Sequence, residues 1–311
     1  MKPLVSVNVP EEVYAALEGR PLTSTVWHAA QSLAAGKPDQ AEAIVRRRLM
    51  RADAAADPAS ARAAFIYLLY LLHQQRKHEE IAAALCAPWS PMHNGGDPDF
   101  DRMYGAAISA TRSNPLPFKR SQRFRELVRL LSSTRRVGGE LAECGCYRGL
   151  SSHLLCQALA AESPTFGGAG FHIFDSFEGL SAPAPEDAIP EAHPDRERLA
   201  VMTKTGRFAA SLETVQRNLA RFPAITYHRG WIPFSFENLP ERQYRFVHLD
   251  VDLYNPTRDS LAYFHRRVAM GGMIVSDDYS WPGARRAIEE FCAQNALRFT
   301  VTDFEQAVIR L

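Results

Sequence analysis

Leu249-Asp250-Val251-Asp252-Leu253-Tyr254 and, further along, Val275-Ser276-Asp277-Asp278-Tyr279 are the stretches on which the reading of this chain turns. Each is an apolar, strand-like run that stops on carboxylates, and in a parallel α/β sheet ligands bind at the carboxyl ends of the strands. Four acids from two strand ends would meet at one point. Side by side without a counter-charge they would repel and raise one another's pKa, so the economical partner is a hard divalent cation, magnesium or calcium, held through oxygens. Residues two apart in a strand share a face, so His248, Asp250 and Asp252 are expected to point the same way if the strand persists to its tip. An alternative reading makes Asp277 and Asp278 caps of a helix starting near Pro282 and gives Asp252 an arginine partner. That account fits one pair of acids well and two pairs at adjacent strand ends poorly.

Outward from these runs, short apolar segments alternate with helical patterns, the signature of βαβ units and a parallel sheet. Strands are expected at 139–144, 170–175, 224–229, 245–250 and 272–277. Two final runs, 297–302 and 306–311, are separated by Asp303-Phe304-Glu305, too short for a crossover helix, so they are expected to pair antiparallel as a hairpin. Five parallel strands with a closing hairpin predict an α/β chain with the methyltransferase variant of the doubly wound, Rossmann-like sheet.

Where the first strand turns into a helix stands Glu143-Cys144-Gly145-Cys146-Tyr147-Arg148-Gly149-Leu150-Ser151-Ser152. Gly145 and Gly149 allow a tight turn and close approach to a ligand, and Ser151 and Ser152 sit where hydroxyls and free N–H groups at a helix start face outward. The spacing differs from the G-x-G-x-x-G of a dinucleotide site, and Glu143 would repel a pyrophosphate but suit a cationic amino-acid moiety. S-adenosylmethionine, with its ammonium and sulfonium, fits better than NAD. A glycine turn serving only the fold stays open as the plainer account. Phe174-Asp175-Ser176-Phe177-Glu178-Gly179-Leu180 closes the second strand, where an acid accepts ribose hydroxyls in nucleotide sites of this architecture; a loop or capping aspartate would look the same. Trp231, after the third strand, would shape a pocket or fill the core. The proline- and charge-rich insertion from Ser181 to Gly206 is read as a lid over an acceptor site, with His193 as an exposed loop histidine.

The 311 residues, 46% hydrophobic and 23% charged with a net charge of +1, describe a globular chain for which neither nucleic acid nor an anionic membrane is an obvious electrostatic partner. A small or neutral substrate fits better. Five scattered cysteines give no disulfide framework, and Cys144-Gly145-Cys146 is one residue short of a usual thiolate metal pair. No run is long and charge-free enough to span a bilayer, and a cytoplasmic protein is expected. Residues 1–99 form an alanine-rich helical region, similar to tetratricopeptide hairpins without a repeating signature, for which a homo-oligomer contact is one reading and structural padding another. The turn-rich stretch 88–99 is taken as the boundary before a second domain, 100–311, which opens on an amphipathic helix over 118–131.

In order along the chain, Glu143-Cys144-Gly145 with Arg148-Gly149, Asp175-Ser176-Phe177-Glu178-Gly179-Leu180, Gly230-Trp231, Leu249-Asp250-Val251-Asp252-Leu253-Tyr254 and Asp277-Asp278-Tyr279 resemble the macrocin O-methyltransferase family. These are S-adenosylmethionine- and magnesium-dependent enzymes that methylate sugar hydroxyls of antibiotics. The resemblance covers roughly residue 120 to the C-terminus. It implies Asp250, Asp277 and Asp278 as metal ligands and Asp252 as the base; His248, on the same strand face, stands in reserve. It also implies a cofactor site lined by Glu143, Gly145, Ser151, Asp175 and Ser176, to which the readings of the loop and of the third strand end add Gly149 and Trp231, and a hydroxylated small-molecule acceptor, a sugar. Asn255-Pro256 stands where the family more often has Glu-Ser, and the helical region has no counterpart in it. A catechol-type phenol O-methyltransferase and a non-catalytic S-adenosylmethionine-binding scaffold are the alternatives.

Overall fold

The computed structural model describes residues 13, 23–51, 57–87, 90, 97–116, 119–192 and 196–311. Most of the 88–99 stretch, and His193, lie outside them. The chain divides into two compact units, one running to Gln122 and the other Arg123–Leu311.

The first unit is helical: α1 (Ser24–Ala34), α2 (Pro38–Leu49), α3 (Pro58–Gln74), α4 (His78–Cys86) and α5 (Pro98–Thr111). The starts are written locally. Thr23, Asp57 and Asp97 cap α1, α3 and α5 through their side-chain oxygens, and Pro38, Pro58 and Pro98 occupy first helical positions, where a missing N–H costs nothing. Helix α3 is apolar on most faces because it packs against α1, α2 and α4; Phe65, Leu68, Leu69, Leu71 and Leu72 are fully buried. Glu42 on α2 accepts from Arg46 Nε at 2.7 Å and from Lys77 Nζ at 2.9 Å, tying α2 to the start of α4. Because α5 packs along α4, the division falls later than the expected boundary at residue 99.

The second unit is a seven-stranded sheet in the order β3-β2-β1-β4-β5-β7-β6. Its strands are β1 (Glu140–Cys144), β2 (Phe171–Asp175), β3 (Thr226–Arg229), β4 (Tyr244–Leu249), β5 (Val268–Ser276), β6 (Phe299–Val301) and β7 (Ala307–Arg310). The first five pair in parallel, and β7 runs antiparallel to both β5 and β6, so the expected topology and closing hairpin are both present. Chain order reverses at β1, which lies between β2 and β4, and the crevice beyond the carboxyl ends of β1 and β4 is therefore the switch point.

The helices of this unit are α6 (Lys119–Ser133), which crosses the division, α7 (Leu150–Glu162), α8 (Arg196–Met202), α9 (Leu212–Asn218), α10 (Tyr254–Phe264) and α11 (Pro282–Gln294). One side of the sheet is sealed by aromatic rings: Phe264 meets Phe174, Phe236 and Tyr244 edge-on with centroids 5.1 to 5.8 Å apart. Each such pair adds about 0.5–1.5 kcal/mol beyond area burial. All five cysteines are free, and no helix among the described residues is long and apolar enough to cross a membrane.

Candidate active site

The strand register assembles the site. Glu143 on β1 stands opposite His248 on β4, and Leu249 opposite Ser276 on β5, so the residues that follow, Gly145, Asp250 and Asp277, emerge together. Gly145 has φ +78°, and a Cβ there would overlap the carbonyl oxygen of Asp250; only glycine lets the β1 loop pass this close to the acid-bearing turn. Backbone bonds from Gly145 N to Phe174 O (2.9 Å) and from Asp250 N to Cys144 O (2.9 Å) fasten the crossing. Gly149, at φ +85°, precedes α7 and abuts Leu219.

The expected extension of β4 to Asp252 does not occur. The strand ends at Leu249 and Asp252 takes φ +59°, so strand alternation no longer sets its direction. The convergence comes instead from a tight turn, Leu253 N to Val251 O at 2.6 Å, clamped by Asp278, whose Oδ2 accepts from the N–H of Val251 and of Asp252 at 2.9 Å each. One ligand atom each from Asp250, Asp252 and Asp278 lie within 4.8 Å of one another, and a second group of the same span joins His248, Asp250 and Asp277. The alternative in which Asp278 caps α11 is not what is seen. Trp281 occupies the cap position, donating its N–H to the Asp278 carbonyl.

The four acids differ in electrical condition. Asp277 accepts from Gln306 Nε2 at 2.7 Å and lies 3.0 Å from Arg123 Nε; although burial opposes ionisation, these partners and His248 hold its carboxyl well below the usual range. Burial, with Asp277 as neighbour, pushes Asp250 up to about 6. Burial and then Asp250 push Asp252 up to about 8, and burial with Asp252 and Asp250 lifts Asp278 well above its ordinary value. The side chain of His248 is fully buried, with Nδ1 2.9 Å from Glu143 Oε1 and Nε2 3.8 Å from Asp277 Oδ1. Burial alone would lower its pKa, but the two carboxylates outweigh that and raise it to about 10. A carboxylate only accepts, so Nδ1 carries a proton toward Glu143. Arg123 pairs with Asp277 and His248 with Glu143, and beyond those pairs the acids feel the two cations only at longer range, so four carboxylates stand in excess of the charge that answers them. This all-oxygen donor set suits magnesium, manganese or calcium.

Toward the cofactor loop, Asp175 Oδ2 accepts from Cys146 N and Oδ1 from Phe177 N, both at 2.7 Å, pinning the glycine loop to the tip of β2. Ser176 Oγ donates to Gly179 O at 2.9 Å and accepts from Glu178 N at 3.1 Å. Ser151 and Ser152 do not face outward as expected: both are buried, and Ser152 Oγ donates to Glu143 Oε2. Both Glu143 oxygens are thereby occupied inside the protein. Trp231 is half-buried after β3, its carbonyl accepting from Ser235 N.

The family model for macrocin O-methyltransferases matches residues 116–309, most of the chain. The chain belongs to the macrocin O-methyltransferase family. As a member it is an O-methyltransferase, and the cofactor of the family is S-adenosylmethionine. Among its relatives is the 8-demethyl-8-(2,3-dimethoxy-alpha-L-rhamnosyl)-tetracenomycin-C 4'-O-methyltransferase of Streptomyces olivaceus, 26% identical over 224 residues, 70% of this chain and 83% of the relative. Another is the mycinamicin III 3''-O-methyltransferase of Micromonospora griseorubida, 25% identical over 198 residues, 60% of this chain and 73% of the relative. Among solved structures, the O-methyltransferase NovP is similar in fold, with a TM-score of 0.51 and 22% identity over 61% of this chain and 79% of that one.

Three residues of this O-methyltransferase site escape a reading of the sequence. Arg123 is one arginine among several on an amphipathic helix, and nothing local marks it as the partner of Asp277. Gln306 had a usable signal: pairing of Ser276 with Ala307 places it beside Asp277. Asp187, inside the insertion, reaches the backbone of Tyr254.

Proposed function

We propose that the protein is a metal-dependent O-methyltransferase that moves the methyl of S-adenosylmethionine to a hydroxyl of a sugar or glycosylated natural product. The observation that carries this reading is the convergence of half-buried Asp250 and Asp252 with buried Asp278 and Asp277 beneath the glycine loop at the switch point of the sheet. Asp250, which belongs to both acid groups, would hold the metal with Asp277 and Asp278. A bound divalent cation supplies Lewis acidity that lowers the pKa of an acceptor hydroxyl.

The protein's own part is positional. Gly145, Gly149 and Ser151 shape the loop against which S-adenosylmethionine lies; Asp175 and Ser176 hold the tip of β2 where the ribose would sit, and Trp231 borders the same crevice. Glu143 acts by holding Ser152 and His248, which keeps α7 and β4 in register under the loop. Asp252, lifted in pKa by its own desolvation and then by the charge of Asp250, is placed to take the acceptor proton, while His248, enclosed by two carboxylates, serves to orient Asp277. The activities of the rhamnosyl-tetracenomycin and mycinamicin methyltransferases support a sugar hydroxyl as the acceptor class.

The test combines methyl transfer from labelled S-adenosylmethionine to a panel of glycosides and catechols with manganese binding followed by electron paramagnetic resonance. Transfer to glycosides should require a divalent cation, and Asp250→Asn should lose both manganese binding and at least about 10²-fold in turnover. Full turnover in excess chelator, or preference for catechols, refutes the reading.

A further inference from the structure

We propose that Asp187 is a positioning residue that seats the first part of the insertion, residues 181–192, as a wall of the acceptor site. The inference rests on the acceptor reading above. The insertion is tied at its neck by Leu180 N to Arg207 O and Gly206 N to Leu180 O, each 2.8 Å, beside the tip of β2. Its outer part is tied again on the far side of the crevice. Asp187, only 6% exposed at the end of a short 3₁₀ turn (Pro185–Asp187), accepts from Tyr254 N through Oδ1 and from its own loop's Ala184 N through Oδ2, both at 2.7 Å.

Tyr254 opens α10 two residues beyond Asp252, and the same carboxylate lies against the start of α11. A Cβ on Gly283 would overlap Asp187 Oδ1 and stand 2.8 Å from its Cγ. The strap therefore runs from beside the tip of β2 to the two helices that follow the acid turns, and one carboxylate fixes its far end. Burial raises the pKa of that carboxylate, partly offset by the two N–H bonds. Gly283 has an ordinary helical backbone, so its glycine is explained by room for Asp187 rather than by its own conformation.

Three variants of the full chain test this: Asp187→Ala, Asp187→Asn and Gly283→Ala. Trypsin cleavage at the exposed Arg196 and Lys204 of the insertion should accelerate about tenfold in Asp187→Ala and Gly283→Ala, more than the shift of the urea midpoint accounts for. In both, the KM for a rhamnosylated glycoside should rise about tenfold with kcat and S-adenosylmethionine affinity within about threefold of wild type. Asp187→Asn, whose amide oxygen can still accept from Tyr254 N, should fall between. Gly283→Ala is the sharper arm, because alanine favours the helix while evicting the carboxylate. Unchanged proteolysis and KM in Asp187→Ala overturn the inference. A wild-type protein inactive on every glycoside refutes the acceptor reading instead, and the proteolysis arm still judges whether Asp187 seats the strap.

Discussion

Replacing Gly145 with alanine tests the contact on which the site is built. Alanine at φ +78° costs about 1–2 kcal/mol as a left-handed conformation of an L-residue. The larger effect is steric: the added Cβ would stand 2.8 Å from the Asp250 carbonyl carbon, against an ordinary carbon–carbon approach of about 3.5–4.0 Å. Roughly 1 Å must therefore open between the β1 loop and the acid-bearing turn, straining the Asp250 N to Cys144 O bond. Overpacking of this kind adds about 1–3 kcal/mol, for a total loss of about 2–5 kcal/mol in urea unfolding. A displacement of this size at the reacting centre should cost about 10²-fold in turnover and weaken S-adenosylmethionine binding in calorimetry. Gly36→Ala is the control: φ is +71° and nothing lies within 4 Å, so only the backbone cost applies, about 1–2 kcal/mol with full activity. If the two variants lose the same stability and Gly145→Ala keeps its activity, the close approach to Asp250 is not what places the acids.

His248→Leu should cost about 3–5 kcal/mol in urea unfolding, because it leaves Glu143 buried without its partner and frees Asp277 on one side; a loss below 1 kcal/mol would show that the Glu143 to His248 pair is not what holds β1 and β4 together. His153, 4% exposed, is held at about 4 by burial and then by the charge of Arg221. A histidine depressed in the folded state contributes stability that is present above its unfolded pKa of 6.5 and lost as pH falls toward 4. About 3 kcal/mol should therefore disappear across that window. In His153→Gln the acid-side slope of stability against pH should flatten by that amount, and an unaltered slope refutes the assignment.

How much of this was readable before the coordinates depends on the range over which each contact acts. Alternating apolar and helical segments, the two-glycine loop and the short Asp303-Phe304-Glu305 link are local signals. They led to five parallel strands and a closing hairpin where the structure has them. Parity along a strand is also local, and it pairs Glu143 with His248 once the two strands are adjacent. It failed at Asp252, because the chain leaves the strand at Leu249 and enters a left-handed turn that no glycine announces. The compensation for that strained residue is non-local: the Asp278 carboxylate, 26 residues on, receives its N–H.

Arg123 and Asp187 were invisible for the same reason. A guanidinium on a helix rich in arginine and an acid in a charged loop look solvated until the tertiary structure buries their partners. The two also divide the chemistry of the site between them. Arg123 pairs with Asp277 and reaches Asp250, Asp252 and Asp278 at longer range, leaving the acid set in excess of the cations around it; Asp187 instead accepts from backbone N–H groups at the rim. A permanent cation beside Asp277 therefore lets four carboxylates pack at two adjacent strand ends without leaving all of their repulsion to be answered by a ligand.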